Sequence, residues 1–344
     1  MQIKTRFYSG VLSEIDYKTL TIKFFLKKEF NCFSHNFLFE VEIDQKVEKI
    51  SFVVENAAKS DYFKGWFDYK PYFYFNEWRK VDESEMVNGK LHFVIKNPPQ
   101  KMKISWYPDY SVQQLNDFLF SLSSLEDVNV EIVDSSLPII TIGNRDKPCI
   151  AVLARQHPGE YMSSYFVEGL INSILKTTNT KSFIIFPIVN VSGVNSFNHR
   201  FDDQGNDLNR IWNQNISKEL NYIKFFFNEN RNISLFIDVH GDEVSKVNYV
   251  LHKKKTENTN LLFSLIKQYI PDIVFIEQPR FFKRFVKSLL YNHKILLKQG
   301  VLAFEYFLNE YKATSMTIEI SAHSCDNLRA IELGELFGKI LIEK

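Results

Sequence analysis

The stretch Cys149-Ile150-Ala151-Val152-Leu153-Ala154-Arg155-Gln156-His157-Pro158-Gly159-Glu160 decides how this chain is read. Cys149 to Ala154 is a short continuous apolar run, the pattern of a strand buried on both faces. An imidazole and a carboxylate follow at its mouth, with the rigid Pro158 and the permissive Gly159 between them, a composition suited to a tight turn. Placed there, His157 and Glu160 can grip one metal ion from the same side. A distant histidine would complete the three-protein-ligand set of a catalytic zinc. Alone the spacing says little, because a single histidine is more often a satisfied structural group than a ligand.

Working outward, strands and helices alternate. The apolar run 183–189 and Ser234-Leu235-Phe236-Ile237-Asp238-Val239 read as further buried strands, and Met316-Thr317-Ile318-Glu319-Ile320 as a late one. Residues 111–125, 159–175, 220–227 and 327–342 carry helical spacing. The expected fold is therefore α/β over 109–344, with a mixed central sheet flanked by helices. Residues 1–108 read differently. Phe-, Tyr-, Ile- and Val-rich runs at 20–25, 37–43, 49–54, 72–75 and 90–95 are separated by turn signals such as Asn88-Gly89, which predicts an antiparallel β-sandwich domain.

In the α/β part, sites lie beyond the carboxyl ends of the strands. Polar clusters fall there: His157 and Glu160, then Asn190, then His240-Gly241-Asp242. His240 is the candidate distant histidine. Asp207-Leu208-Asn209-Arg210 offers a guanidinium beside a carboxamide, able to hold a carboxylate, or else forms a solvated turn. Arg200 lies upstream in the same Asn- and Asp-rich loop. Glu319, flanked by Ile318 and Ile320, is either a surface residue of an alternating strand or a buried functional group, in which case it suits general base and acid work beside an activated water.

Composition narrows the classes. The chain has 344 residues, 45% hydrophobic and 24% charged, with 42 basic and 41 acidic side chains. A net charge of +1 gives no electrostatic footprint for nucleic acid or an acidic membrane surface. The 32 phenylalanines are read as core material and not as a binding platform. Three cysteines, Cys32, Cys149 and Cys325, make no CxxC pair and fit a reducing compartment. No apolar run reaches the ~18–20 residues of a membrane span, and the N-terminus shows no signal-peptide core. A cytoplasmic location is expected.

Taken together, Arg155-Gln156-His157-Pro158-Gly159-Glu160, Asp207-Leu208-Asn209-Arg210, Asp238-Val239-His240-Gly241-Asp242-Glu243 and Thr317-Ile318-Glu319 resemble the zinc carboxypeptidase family, in particular its cytosolic carboxypeptidase branch with bacterial members. The resemblance implies the phosphorylase/hydrolase-like fold after an N-terminal β-domain. It implies one Zn2+ per chain, held by His157, Glu160 and His240. Asp207 would orient the first zinc histidine, Asn209 and Arg210 would hold the substrate's terminal carboxylate, Arg200 would stabilise the oxyanion, and Glu319 would be the general base and acid. The implied activity is hydrolysis of the C-terminal peptide bond of a peptide or protein. The substrate-capping tyrosine of the family is sought at Tyr306 or Tyr311, and Tyr311 is the expected one. The segment 281–316 is expected to wall the specificity pocket. Its basic residues Lys283, Arg284, Lys287, Lys298 and Lys312 would favour C-terminal Glu or Asp, as in the deglutamylases of that branch. One departure is Asn190-Val191-Ser192-Gly193, where the family has an Asn-Pro-Asp-Gly turn. Alternatives are a zinc amidohydrolase acting on small acylated amino acids, and a non-catalytic interaction protein that kept the fold.

Overall fold

Three adjacent parallel strands, Cys149–Ala154, Ile233–Asp242 and Thr314–Ser321, form the middle of an eight-stranded sheet. They are seen in a computed structural model that describes all residues except 135, 145–146, 177–180, 230–231, 254–256, 278–299 and 344, together with the backbone alone of 257 and 258. Cys149–Ala154 is an apolar run because both of its faces are covered; every one of its residues is buried.

Ser182–Phe186 pairs parallel to Cys149–Ala154, and beyond it Leu137–Ile142 and Val128–Val133 run antiparallel. At the other edge, Tyr249–His252 pairs antiparallel to Thr314–Ser321, and Val274–Glu277 runs parallel to Tyr249–His252. The sheet is thus mixed, as the sequence predicts. Its register sets the site. Leu153 pairs with Asp238, and His240 pairs with Glu319, so the carboxyl ends of the three middle strands lie side by side.

The helix Met162–Leu175 returns directly from the Glu160 turn and packs against the closing helix Asn327–Glu343. The approach is close. A Cβ on Gly169 would lie 2.0 Å from the Ile331 carbonyl oxygen, and one on Gly334 would lie 1.9 Å from that of Phe166. The helix Val112–Leu122 begins with a capping box: Ser111 Oγ accepts the Gln114 N–H and the Gln114 side chain accepts the Ser111 N–H.

Ahead of this sheet, residues 3–105 form two five-stranded sheets. One contains Ile3–Ser9, Leu38–Ile43, Lys101–Ser105, Tyr72–Phe75 and Glu77–Lys80; the other contains Val11–Asp16, Thr21–Phe25, Lys49–Val54, Lys90–Lys96 and Glu83–Val87. All pairings are antiparallel except that of Thr21–Phe25 with Lys49–Val54. Phe24, Phe37, Phe39, Phe52 and Phe93 fill the space between the sheets, with ring centroids 4.9 Å apart for Phe24–Phe39 and again for Phe52–Phe93. Much of the phenylalanine excess is therefore core. Among the described residues, no helix is long and apolar enough to cross a membrane.

Candidate metal centre and active site

The turn after Cys149–Ala154 is held by Arg155, which adopts the left-handed conformation with φ +59° and is wholly buried. Its guanidinium donates to the Pro158 carbonyl at 2.6 Å, the Ser164 hydroxyl at 2.7 Å and the Tyr110 carbonyl at 3.2 Å. Three bonds to a buried cation outweigh the roughly 1–3 kcal/mol that such a backbone conformation costs. Gly159 is required for space: a Cβ there would lie 2.2 Å from His199 Nδ1.

This turn presents His157 and Glu160 to His240, and the ligating atoms of the three all lie within 4.8 Å of one another. His157 Nδ1 is 2.6 Å from one Glu160 oxygen, and His240 Nδ1 is 2.8 Å from the other. The opposite nitrogens are braced. His157 Nε2 lies 3.1 Å from Asp207 Oδ1, and His240 Nε2 lies 3.1 Å from Asp238 Oδ2. Carboxylates on both Nε2 atoms favour the Nε2–H tautomer and leave the two Nδ1 lone pairs directed inward, the arrangement of histidines prepared for a metal. The donor set, two imidazoles and one carboxylate, fits zinc.

The charges agree. Burial pushes Glu160 up, but His157 and His240 outweigh it and hold the carboxyl well below its usual range. Burial pushes His240 down, and Asp238 and Glu160 more than reverse it. Asp207 is likewise pushed up by burial and held far down by Arg200, Arg210 and His157. Glu319, half-buried opposite His240 in the register, moves the other way. Burial raises it, with Glu160, Asp242 and Glu243 adding to the shift against His240.

Arg200 is buried, and its Nε and Nη2 engage Asp207 Oδ2 at 2.8 and 2.6 Å. Asn209 and Arg210 follow in the short turn Leu208–Arg210. The Asn209 amide nitrogen lies 3.0 Å from His240 Nε2, and its amide oxygen accepts the Ala303 N–H at 2.9 Å. The amide oxygen of Asn209 is thus engaged by the protein, while the half-buried Arg210 guanidinium donates to the Asn209 carbonyl at 2.7 Å.

Tyr311 is not brought to this cluster. Its hydroxyl donates to the Asn228 side chain at 3.0 Å and its ring packs on Phe307. It precedes the amino end of Thr314–Ser321, whereas Glu319 lies near the carboxyl end, roughly 16 Å further on at the rise of a strand. Lys312, exposed and donating to the Asn309 carbonyl, lies at that same far end. Tyr306 packs on Trp212, whose Nε1–H donates to Gln156 Oε1 at 2.8 Å. Lys283, Arg284, Lys287 and Lys298 lie outside the described residues. Asn190, in the departing turn, caps its own helix by accepting the Gly193 N–H and donates to the Gln156 carbonyl.

Several neighbours of the site carry no assigned role in the sequence motifs. Asp238 is legible there: two residues before His240 in a strand, it shares the face of that histidine. Gln156, whose amide donates to Asp238 Oδ1 at 2.6 Å, is revealed only by the fold. So are Glu29, Tyr62, His199 and Glu243, which come from four separate segments.

No family profile matches the chain. It is 25% identical over 320 residues to an uncharacterized protein of Zymomonas mobilis, covering 84% of this chain and 79% of that one. To cytosolic carboxypeptidase 1 of Danio rerio it is 32% identical over 117 residues, 30% of this chain and 10% of that one. The chain thus matches about a tenth of the length of that enzyme. In fold it is similar to the metallo-carboxypeptidase of Burkholderia cenocepacia, with TM-score 0.85, 20% identity and coverage of 100% and 98% of the two chains. It is also similar to the metallo-carboxypeptidase of Pseudomonas aeruginosa solved with (2-guanidinoethylmercapto)succinic acid, with TM-score 0.83, 20% identity and coverage of 100% and 98%. The fold is that of the bacterial metallo-carboxypeptidases. By sequence, about a third of the chain is similar to a segment of the cytosolic carboxypeptidases.

Proposed function

We propose that the chain is a zinc-dependent metallocarboxypeptidase that hydrolyses the C-terminal peptide bond of peptides or proteins. The observation that carries this reading is the convergence of His157, Glu160 and His240 with Glu319 opposite His240 on the neighbouring strand. A zinc ion held by the first three would polarise the scissile carbonyl and make water a competent nucleophile near neutral pH.

In this reading the remaining chemistry belongs to the chain's own side chains. Glu319, acting as the base, takes the proton of the attacking water and later delivers it to the leaving amine. Arg200, fixed by Asp207, faces the oxygen on which negative charge develops, where preorganised charge is worth most. Arg210 receives the terminal carboxylate, with Asn209 beside it. We further propose a preference for C-terminal Glu or Asp, resting on the basic residues of 281–299 and on the cytosolic carboxypeptidase relatives. The substrate is a peptide or protein C-terminus, and the cytoplasm is the proposed location.

A C-terminal peptide library digested with and without chelator tests both levels. Release of single C-terminal residues that stops on chelation and returns with zinc is expected. Cleavage of acyl-amino acids but not of peptides would replace this reading with the amidohydrolase.

A further inference from the structure

Arg200 is held by two parts of the chain that are far apart in sequence. Asp207 takes one edge of the guanidinium, through Nε and Nη2. The third nitrogen, Nη1, donates to the Tyr62 hydroxyl at 2.7 Å. The backbone is held from the same side. Both oxygens of the Glu29 carboxylate are used, one accepting the His199 N–H and the other those of Arg200 at 3.0 Å and Phe201 at 3.3 Å. Phe33 lies under the guanidinium, 5.9 Å from ring centre to carbon, and stacks on the His199 ring. Glu29, Phe33 and Tyr62 all belong to the N-terminal region. That region is also pressed against the strand end: a Cβ on Gly65 would lie 2.3 Å from the Glu243 carbonyl oxygen.

We infer that the N-terminal sandwich is part of the catalytic machinery, with Tyr62 and Glu29 acting as positioning residues for Arg200. The inference rests on the carboxypeptidase reading. Asp207 alone grips the guanidinium by one edge and leaves its plane free to pivot about that contact. A hydroxyl on the opposite nitrogen removes the pivot. The Glu29 clasp fixes where the side chain leaves the backbone. An oxyanion donor contributes only if it already points where charge will appear, and misplacement by about 1 Å costs on the order of 100-fold in rate. Tyr62 and Glu29 thus act on the transition state and not on substrate binding.

The test is Tyr62→Phe, which keeps the ring packed between Phe33 and His35 and removes only the hydroxyl. The expected result is a fall in kcat of about 10–100-fold, with KM within about twofold and zinc content unchanged. In an Arg200→Ala background the same substitution should change kcat by less than about twofold, because its effect runs through Arg200. An undiminished kcat, or an equal loss in both backgrounds, would overturn the inference. A readout independent of activity is rotation about the Arg200 Nε–Cζ bond, seen in arginine side-chain NMR of the zinc-loaded protein. It should be slow in the wild type and faster in Tyr62→Phe, and an unchanged rate would also overturn the inference. A wild-type protein with full zinc but no peptidase activity would instead refute the carboxypeptidase reading, and the NMR comparison would still decide the role of Tyr62.

Discussion

Asp207 serves two neighbours at once: its Oδ1 lies 3.1 Å from His157 Nε2, and its Oδ2 accepts the Arg200 Nε–H at 2.8 Å. One carboxylate therefore couples the orientation of a metal ligand to that of a buried cation. Asp207→Asn keeps the shape and removes the charge. It should weaken zinc binding about 10–100-fold, measured by competition with a chromogenic chelator. It should also lower kcat on zinc-saturated protein, since Arg200 loses its only ion-pair partner among the described residues. Full activity in the zinc-saturated variant would show that Arg200 needs no such anchor.

Glu319 stands beside the ligand set without belonging to it. Glu319→Gln should therefore retain zinc and lose about 100- to 10,000-fold in kcat, the range for removal of a general base. Metal analysis and turnover on one preparation check this together. Retained activity would exclude Glu319 as the proton carrier.

Much of this site is legible in the amino-acid sequence. Cys149 to Ala154 and residues 234–239 announce themselves as buried strands because each is largely apolar, whereas 316–320 reads as a strand whose Glu319 could face either way. The ligands follow from where strands end. Chain order itself puts Tyr311 before Thr314–Ser321, at the amino end and away from Glu319, and so the expectation of Tyr311 as a pocket residue fails. Short edge strands such as Tyr249–His252 and Val274–Glu277 carry too few residues to set a period. Glu29 and Tyr62 give no signal, because their partners are more than a hundred residues away and lie in the other sheet system.

His199 supplies a pH dependence. It is wholly buried, with Nε2 2.6 Å from Glu243, and burial lowers its pKa to about 4 against the opposing pull of Glu29 and Glu160. In the unfolded chain a histidine titrates near 6.5. Between those values the unfolded state takes up a proton that the folded state refuses, so stability is full above pH 6.5 and is lost as pH falls towards 4. The loss from this group should reach about 2 kcal/mol at pH 5. His199→Gln, neutral throughout, should show a flatter profile in urea unfolding at pH 7, 6 and 5. Parallel profiles for the two proteins would mean that His199 is not buried neutral.

The closeness of Met162–Leu175 to Asn327–Glu343 gives a packing prediction. Each glycine at the crossing faces a backbone carbonyl of the other helix, at 2.0 Å for a Cβ on Gly169 and 1.9 Å for one on Gly334. Backbone cannot rotate out of the way as a side chain can, so the helices must separate. Gly169→Ala and Gly334→Ala gain helix propensity of about 1 kcal/mol, yet each should destabilise by about 1–3 kcal/mol, because lost packing along the interface exceeds that gain. Thermal unfolding of the zinc-loaded proteins reads the sign directly. A rise in melting temperature would mean that the helices can part by about an ångström without loss. Because Met162–Leu175 starts directly after Glu160, the same separation would then reach the metal site, and zinc affinity measured on the two variants would show whether it does.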